Sequence, residues 1–481
     1  TEHLPRTAQV VDQGIQLLTP FITTPYLSRV LGPDGTGIQS YTNSVVQYFA
    51  IAAALGTASY GQREIAMHRD DREALNRLFW EIELLCAGTT AVCLVFWLGV
   101  IGCSKEYAPY YAALSMTLIA VAFDISWFFG GLEEYGLIVL RNMAVKCVGI
   151  VLLFLFIRTK NDLLLYVALT AATGLLGNIS MWGYLKPFVG KPDIRQLKPL
   201  RHLKETLVYF IPTIATSVYT ILDKTMLGWF TDGDKSQNGY YEYATGFVNM
   251  SKILIMSFNA VMSARMSYLF GAGKLDEVRE RLRGSLDFVL LLAIPITLGL
   301  SGIAAGFVPW FLGDAYLPVI PLMYVCAPLV LVVGLSDCLG SQILTPAGLR
   351  AQSGRAIVGG AVVNFILNLI LIPKFQSYGA AAASVAAECF ITLLYLRLGK
   401  GFVTLPLLWK CIWRRLIAGV CMFISVAVLG RTLVKLWGYS PAVTFLQIGA
   451  GAVVYGMILL VLRDPFIWKQ VERIIKKQEY V

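Results

Sequence analysis

Residues 20–37 read PFITTPYLSRVLGPDGTG, and this stretch decides how the rest of the chain is interpreted. Pro20 and Pro25 interrupt the first apolar helix, because proline lacks the backbone N–H that a helix needs. We expect that helix to end at Ser28–Arg29 and the chain to turn over the glycines and prolines that follow. Interrupted membrane helices are tolerated where neighbouring helices or water satisfy the freed carbonyls. The stretch therefore predicts a helix that lines a cavity, and a second stretch of this kind begins at Pro212.

The composition is that of a membrane protein. Of 481 residues, 57% are hydrophobic and only 15% are charged, which excludes an ordinary soluble globular domain. Apolar stretches of about 20 residues, long enough to span ~30 Å of hydrocarbon as helices, recur along the chain. The three histidines are far apart and the nine cysteines form no CxxC pair, so neither set predicts a metal site. We predict an all-α polytopic membrane protein that holds no metal.

The hydropathy pattern predicts about fourteen transmembrane helices. Their predicted ranges are 8–31, 40–62, 80–103, 108–130, 136–157, 162–185, 205–230, 240–268, 284–311, 318–345, 356–373, 378–397, 413–435 and 442–462. The basic segment 186–204 divides the first twelve into two sets of six. We therefore predict an N-terminal lobe at 1–185, a linker at 186–204 and a C-terminal lobe at 205–398. Residues 399–481 hold two further helices and a tail, in which 466–477 has the pattern of an amphipathic surface helix.

The distribution of basic residues predicts the orientation. If the N-terminus is cytoplasmic, 27 of the 40 Lys and Arg residues fall on inner segments and eight on outer ones. This excess is typical of cytoplasmic loops and explains the net charge of +10 without nucleic-acid binding. We expect both termini and the linker to face the cytoplasm.

The two predicted lobes are related as repeats. Residues 28–32 (SRVLG) match residues 224–228 (KTMLG), each at the end of the first helix of a lobe. Gly37 precedes Arg63 by 26 residues, and Gly239 precedes Arg265 by the same 26. Each lobe runs six helices in the same direction, so the repeats are parallel. Transporters built in this way hold their substrate between the lobes, near the bilayer midplane.

Charged residues inside membrane helices are costly and usually face a cavity or a partner. Asp124 and Arg141 lie at similar predicted depth on neighbouring helices, so we expect a structural ion pair. Asp337 and Arg355 offer a similar pair in the second lobe. Such pairs would hold adjacent helices together.

A second set of buried charges has less obvious partners. Lys252 and Lys146 lie near the predicted bilayer centre, where Glu388 is the one acid at matching depth. One lysine can pair with Glu388, which leaves the other to line an anion-accepting cavity. The predicted substrate contacts are Lys252, Lys146, Lys224 and Arg141; Arg63 and Arg265 are predicted at the inner mouth, and Asp223, Asp124 and Glu388 are candidates for ion coupling.

Motifs for catalysis are missing. The chain contains no GxxxxGK[ST] phosphate-binding loop, so the sequence does not predict ATP hydrolysis. The predicted outer loops are too short for a catalytic domain. We therefore predict a transporter without catalytic residues rather than an enzyme.

Three motifs carry a family resemblance. PFITTPYLSRVLGPDGTGIQSYTNSVVQYF at 20–49, YGQREIA at 60–66, and LDKTMLG at 222–228 followed by GYYEYA at 239–244 resemble the Wzx-type polysaccharide-transporter flippases. These belong to the multidrug/oligosaccharidyl-lipid/polysaccharide exporter superfamily. The resemblance covers essentially the whole chain and implies two six-helix lobes in a V, with helices 13 and 14 as additions.

The resemblance also implies the substrate. It is an undecaprenyl-diphosphate-linked oligosaccharide, moved from the inner to the outer leaflet of a bacterial cytoplasmic membrane for a capsule, O-antigen or teichoic-acid-type polymer. It implies polymerase and assembly proteins as partners, and coupling to a proton or sodium gradient or to the membrane potential. Related lipid II flippases keep arginines deep in helices 1 and 2, where this chain has Thr23–Thr24. The anion site is therefore assigned to Lys252, Lys146 and Lys224, and residues 20–37, with Pro25 and Arg29, to the hinge and outer gate.

Three other functions stay open. A cation-coupled drug or metabolite antiporter of the same superfamily predicts a cavity lined by acids such as Glu388, Asp223 and Asp12. A membrane-embedded glycosyltransferase or polymerase predicts a large outer loop or catalytic acids that face outwards. A lipid scramblase predicts transport that depends on neither the sugar nor an ion gradient.

Overall fold

A computed structural model gives the fold of residues 4–191, 195–231 and 233–468, with the side chains of 4–18, 211–213 and 215–220 not described. All regular secondary structure in the described part of the chain is helical, with no strand. The helices are α1 Leu4–Ala54, α2 Thr57–Met67, α3 Arg72–Cys103, α4 Ala108–Val121, α5 Ser126–Gly131, α6 Tyr135–Phe156, α7 Leu163–Met181, α8 Leu203–Phe230, α9 Ser236–Gly271, α10 Leu275–Phe311, α11 Val319–Cys326, α12 Pro328–Leu339, α13 Arg350–Leu398, α14 Leu405–Trp437 and α15 Pro441–Val461. Short 3-10 turns lie at Lys160–Asp162, Trp182–Tyr184, Pro199–His202 and Asp314–Tyr316, and a π-helix at Gly340–Leu344.

The predicted all-α membrane fold is confirmed. Each of the fourteen predicted spans corresponds to a helix, to a helix arm, or to a set of consecutive short helices. Ten of the described helical segments are long and apolar enough to cross a membrane. Helices α1 and α13 each contain two predicted spans, separated by one residue with non-helical backbone angles, Gly32 and Gln376 respectively.

The prediction for residues 20–37 was wrong in its details. Helix α1 continues through Pro20 and Pro25, and its backbone is non-helical at Gly32 alone, where φ is 69° and ψ is 178° and the helix is kinked. Such a positive φ favours glycine, because a Cβ atom would be strained there. The Pro25 carbonyl accepts hydrogen bonds from Arg29 Nη1 at 2.8 Å and from Ser28 Oγ at 3.2 Å. These bonds add polar contacts to the last turn before Gly32, whereas the carbonyls that Pro20 and Pro25 leave without a backbone donor lie four residues before each proline.

A second difference concerns the predicted span 40–62. The helix stops at Ala54, and Leu55 and Gly56 both have positive φ before α2 begins at Thr57. On Gly56, a Cβ atom would lie 2.7 Å from the Thr206 carbonyl oxygen. The close approach of α8 therefore requires glycine at this interruption.

Contacts divide the chain into two compact units. The first comprises residues 1–228 and 234–239, and the second comprises 229–233 and 240–481. In the first unit, an aromatic core around Phe79, Trp127 and Phe128 joins α3 to α5. In the second, α10, α14 and α15 pack together. The lobe boundaries predicted at 185 and 205 come from the repeat in the sequence, whereas the two units are defined by contacts. The predicted boundaries therefore remain a prediction.

The linker is attached to the first unit at several points. Arg72 and Trp80 donate hydrogen bonds to the carbonyls of Pro187 and Gly190, at 3.2 and 3.0 Å. His202, which is 4% exposed, lies between the Tyr60 hydroxyl at 2.7 Å and Glu81 Oε2 at 2.9 Å. The segment 186–204 is therefore a strap that is anchored to the first unit at these points, although most of its described residues are exposed.

Two glycines that the repeat makes equivalent approach each other within the first unit. A Cβ atom on Gly37 would lie 1.7 Å from the Lys235 carbonyl oxygen, and one on Gly239 would lie 2.3 Å from the Pro33 carbonyl oxygen. No larger residue fits at either position without a shift of backbone.

Most of the predicted amphipathic helix at 466–477 lies outside the described residues.

Candidate functional site

A cavity of about 270 Å³ lies between α1, α6 and α7 in the first unit. Lys146 of α6 lines it, half-buried, together with the hydroxyl-bearing residues Thr19, Thr23, Thr170 and Thr173. The remaining lining residues are Leu27, Val145, Gly149, Ile150, Leu153, Tyr166, Leu169 and Gly174. One cation thus faces a cavity with a mixed hydroxyl and apolar lining.

Lys146 has neither an ion pair nor a hydrogen bond among the residues that the structure describes. The threonine hydroxyls donate to helix carbonyls, for example Thr23 Oγ1 to the Thr19 carbonyl at 3.0 Å and Thr173 Oγ1 to the Leu169 carbonyl at 2.8 Å. An ammonium group within a membrane helix is costly unless a counter-charge or water accompanies it. The cavity is therefore suited to an anionic group.

A smaller polar cavity of about 230 Å³ adjoins the first at Thr170. Gln39, Asn43 and Thr117 provide its amide and hydroxyl groups. Amides and hydroxyls are both donors and acceptors, so this space matches a neutral polar group such as a sugar hydroxyl. Sequence reasoning missed these residues, because uncharged polar residues do not stand out in an apolar helix.

The other predicted cations are placed apart from the Lys146 cavity. Lys252, on α9 in the second unit, is half-buried and lies within electrostatic range of Glu388 on α13. Arg141 Nη1 donates to Asn178 Oδ1 at 2.6 Å, and Asn178 donates in turn to the Ala120 carbonyl. Neither Lys224 nor Arg141 lines the cavity.

The two expected ion pairs do not form among the described residues. Asp124 Oδ1 accepts the Ser126 backbone N–H at 3.0 Å, at the start of α5, while Asn178 takes Arg141. Asp337 accepts a hydrogen bond from Asn259 Nδ2 at 2.9 Å, and Arg355 is exposed. Both corrections share a cause, because amide side chains on neighbouring helices lie closer to these charges than the predicted partners do.

Asp223 and Lys224 lie on α8, where Asp223 is 5% exposed and near Tyr48. The next residue, Thr225, hydrogen-bonds Ser44 at 2.9 Å and so connects α8 to the second arm of α1. The side chain of Asp12 lies outside the described part of the chain.

The three arginines that were predicted at the inner mouth and the outer gate are exposed. Arg63 donates to the Tyr209 hydroxyl at 2.9 Å, and the Arg265 guanidinium lies 5.2 Å from the centre of the Tyr268 ring. Arg29 is exposed and donates to the Pro25 carbonyl. Their roles at an inner mouth and an outer gate stay predictions.

The loop before α9 holds a small charged cluster. Lys235 Nζ lies 3.2 Å from Glu106 Oε1 and 4.8 Å from the centre of the Tyr107 ring. Partial burial opposes its charge, but the Tyr107 hydroxyl and the Glu106 carboxylate together raise the pKa of Lys235. At Asp234, hydrogen bonds from Ser236 and Gln237 outweigh partial burial and lower the pKa of the carboxyl.

Sequence reasoning also missed two buried charge sites. Arg415, one of the 27 basic residues on the predicted inner segments, is 1% exposed and pairs with Asp287 at 2.9 Å and Asp464 at 3.2 Å. Glu83, on α3, is 4% exposed and has no hydrogen bond in the described structure. A search of the described residues for three or more metal-ligating side chains found no group that could hold a metal ion.

Comparisons with known proteins agree with this architecture. The "Putative O-antigen transporter" of Escherichia coli is 23% identical over 400 residues, which cover 80% of this chain and 94% of the relative. The "Probable flippase AglR" of Haloferax volcanii is 25% identical over 469 residues, 92% of each chain.

Solved structures show the same fold at low identity. The lipid II flippase MurJ in an inward closed conformation matches with a TM-score of 0.69 and 14% identity, over 96% of this chain and 99% of that one. An inward-facing MATE multidrug transporter matches with a TM-score of 0.66 and 14% identity, over 82% of this chain and 97% of the other.

The sequence profile of the family described as "Polysaccharide biosynthesis protein" matches residues 8–268, which is more than half of the chain. The helices that line the Lys146 cavity fall within this match. The protein is therefore a multi-pass membrane protein that belongs to the polysaccharide biosynthesis protein family.

Proposed function

We propose that this protein flips an undecaprenyl-diphosphate-linked oligosaccharide from the inner to the outer leaflet of a bacterial cytoplasmic membrane. The product would feed a capsule, O-antigen or teichoic-acid-type polymer. The names of the relatives support lipid-linked oligosaccharide transport as the general activity. The observation that carries the proposal for this chain is the Lys146 cavity.

The cavity suits the diphosphate by charge and by size. A diphosphate cannot enter hydrocarbon without a compensating charge, and the Lys146 ammonium supplies one. A volume of about 270 Å³ is slightly below the ~300–1,000 Å³ typical of pockets for whole drug-sized ligands. The cavity therefore matches the headgroup junction, while the polyprenyl chain stays in lipid and the oligosaccharide extends into water.

Transport then follows an alternating-access cycle. The anionic headgroup enters from the cytoplasmic side, the protein changes its conformation, and the headgroup leaves on the outer side. A proton or sodium gradient, or the membrane potential acting on moved charge at ~2.3 kcal/mol per elementary charge per 100 mV, drives the cycle. Both termini face the cytoplasm in this scheme, polymerase and assembly proteins receive the product, and the chain catalyses no covalent step.

A flipping assay tests the role of Lys146. Purified protein in vesicles is given fluorescent polyprenyl-linked oligosaccharides with a diphosphate or with a neutral linkage. We expect Lys146→Gln to slow diphosphate flipping by about 10- to 150-fold, since a hydrogen bond to a charged group contributes about 1.5–3 kcal/mol. Lys146→Arg keeps the charge and should retain more activity.

Lys105→Gln is the matched control, because Lys105 is an exposed loop residue. Equal diphosphate flipping by the parent and by folded Lys146→Gln would overturn the assignment of Lys146. Failure of the parent to flip any lipid-linked sugar, together with ion-coupled export of a drug or metabolite, would favour the antiporter instead. Flipping at a rate that depends on neither the sugar nor an ion gradient would favour a scramblase.

A further inference from the structure

Glu83 is a buried carboxyl that the transport mechanism above leaves unused. It lies in the third to fourth turn of α3, is 4% exposed, and neither of its oxygens has a hydrogen-bond partner in the described structure. An isolated ionised carboxylate in such a setting costs many kcal/mol, and a protein avoids that cost by protonating the group. The geometry therefore indicates a neutral, protonated Glu83 in this conformation.

The surroundings of Glu83 include two interruptions in neighbouring helices. Cys86 lies one turn further along the same face of α3, and its Sγ contacts the Val121 carbonyl, where α4 ends. Thr89 donates at 2.6 Å to the Ala53 carbonyl, just before the interruption at Leu55–Gly56. Helix interruptions are places where backbone can rearrange without loss of a complete helix, so water can be admitted there.

A second polar group lies on this face. The Thr90 hydroxyl oxygen is buried, in a residue that is 2% exposed, and its polar contact in the described structure is the thiol of Cys86, a weak hydrogen-bonding group. Thr90 follows Glu83 by seven residues, which is two helical turns, so both face the same side of α3. This buried face of α3 therefore carries a hydroxyl and a thiol beside a carboxyl group that has no hydrogen-bond partner of its own.

The charges that face Glu83 favour the binding of a cation, and the lack of a group of three metal-ligating side chains among the described residues favours a proton over a metal ion. Within the described chain, the titratable groups in range are Cys86 on its own helix and Asp124 at the junction of α4 and α5. The segment before α8 presents Arg201 and His202, but Glu81 binds both. Glu81 is about 200° from Glu83 around the helix at 100° per residue. Among the residues that the structure describes, no basic side chain therefore neutralises Glu83, and Asp124 adds a like charge.

We propose that Glu83 is a proton-binding site of the first unit, loaded in this conformation and unloaded when the adjoining helix interruptions admit water. In the unloading step the O–H bond of the carboxyl breaks, and the proton passes to water, which leaves the carboxylate. Asp124 is half-buried and is the more accessible of the two acids. Coupling of this proton to flipping rests on the proposed function, whereas the protonation itself does not.

Infrared spectroscopy tests the protonation directly. In lipid nanodiscs at pH 7, where ordinary glutamates with a pKa of about 4.3 are ionised, we expect a protonated carboxyl band that disappears in Glu83→Gln. The exposed Glu134→Gln is the control and should keep the band. In Asp124→Asn the band should be lost at a lower pH than in the parent, because removal of the negative charge at Asp124 makes it easier for Glu83 to ionise. Absence of the band, its persistence in Glu83→Gln, or its removal by sodium at constant pH would overturn the proposal.

Flipping driven by an imposed pH gradient tests the coupling. The gradient should change the initial rate of the parent and of Glu134→Gln at least threefold, and that of Glu83→Gln by less than a factor of 1.5. A gradient response in Glu83→Gln equal to that of the parent would overturn the coupling. If the parent flips nothing, the proposed function fails while the infrared result still decides whether Glu83 binds a proton.

Discussion

Arg415 should be among the most destabilising positions to neutralise in the second unit. Its side chain is 1% exposed, and it binds Asp287 of α10 and Asp464, which follows α15. Removal of one partner from a buried ion pair costs about 3–5 kcal/mol, because the remaining charge is left uncompensated. Asp464 also accepts the backbone N–H groups of Phe466 and Ile467, which retains part of its stabilisation. We therefore expect the lower end of the range, ~3 kcal/mol, for Arg415→Met.

The thermal midpoint of the purified protein in detergent measures this change. At ~2–4 °C per kcal/mol for a unit of about 240 residues, Arg415→Met should lower the midpoint by roughly 6–12 °C. Adding Asp464→Asn to Arg415→Met should recover part of the loss, because the unpaired acid is then neutral.

Lys410→Met is the matched control, since Lys410 is exposed about one turn earlier on α14. If Arg415→Met unfolds within 2 °C of this control, or if the double variant is less stable than Arg415→Met, the network does not stabilise the fold as described.

Three shorter predictions follow. Gly37→Ala should lower the thermal midpoint, because the new methyl group meets the Lys235 carbonyl oxygen. Gly88→Ala is the control and should leave the midpoint unchanged, because the space around Gly88 is open. Equal midpoints for the two variants would contradict the close approach at Gly37. The pKa of Asp234 is lower in the folded protein than its usual value of about 4, so the ionised carboxylate stabilises the start of α9. This stabilisation is complete at pH values above the usual pKa, and it is lost as the pH falls through the lower pKa of the folded state. Acid scans of the thermal midpoint should therefore show a smaller loss for Asp234→Ala than for the parent, and parallel curves would refute this. Tyr60→Phe should release the strap at His202 and speed tryptic cleavage after Arg201, and an unchanged digestion rate would show that the Tyr60 hydrogen bond does not hold it.

The positions of the helices could be predicted because a membrane span needs an uninterrupted apolar length, which the sequence shows directly. The interruptions were harder to place. Pro20 and Pro25 are strong signals, yet α1 passes through both, while Gly32 kinks the helix by a single positive φ. Hydrogen bonds from Ser28 and Arg29 to the Pro25 carbonyl depend on side-chain rotamers, and spacing alone does not reveal them.

The partners of buried charges could not be predicted from depth alone. Asp124 and Arg141 are at similar depth, but each meets another group first, Ser126 and Asn178 respectively. Rotation of a helix by one residue, about 100°, is enough to change a partner. Lys146 was found because a lysine in an apolar helix is conspicuous. Glu83 lies near the predicted start of a span, where an acid looks like an ordinary interfacial residue, so only its burial distinguishes it.

The attachment of the linker to α2 and α3 has a consequence for where this chain can be divided. A fragment that ended at residue 185 would lose the partners of Arg72, Trp80 and Glu81, and would expose a buried carboxylate. A fragment that extended through His202 would keep them. If the two halves were expressed as separate polypeptides, the cut would have to fall after His202 for the first half to retain these contacts.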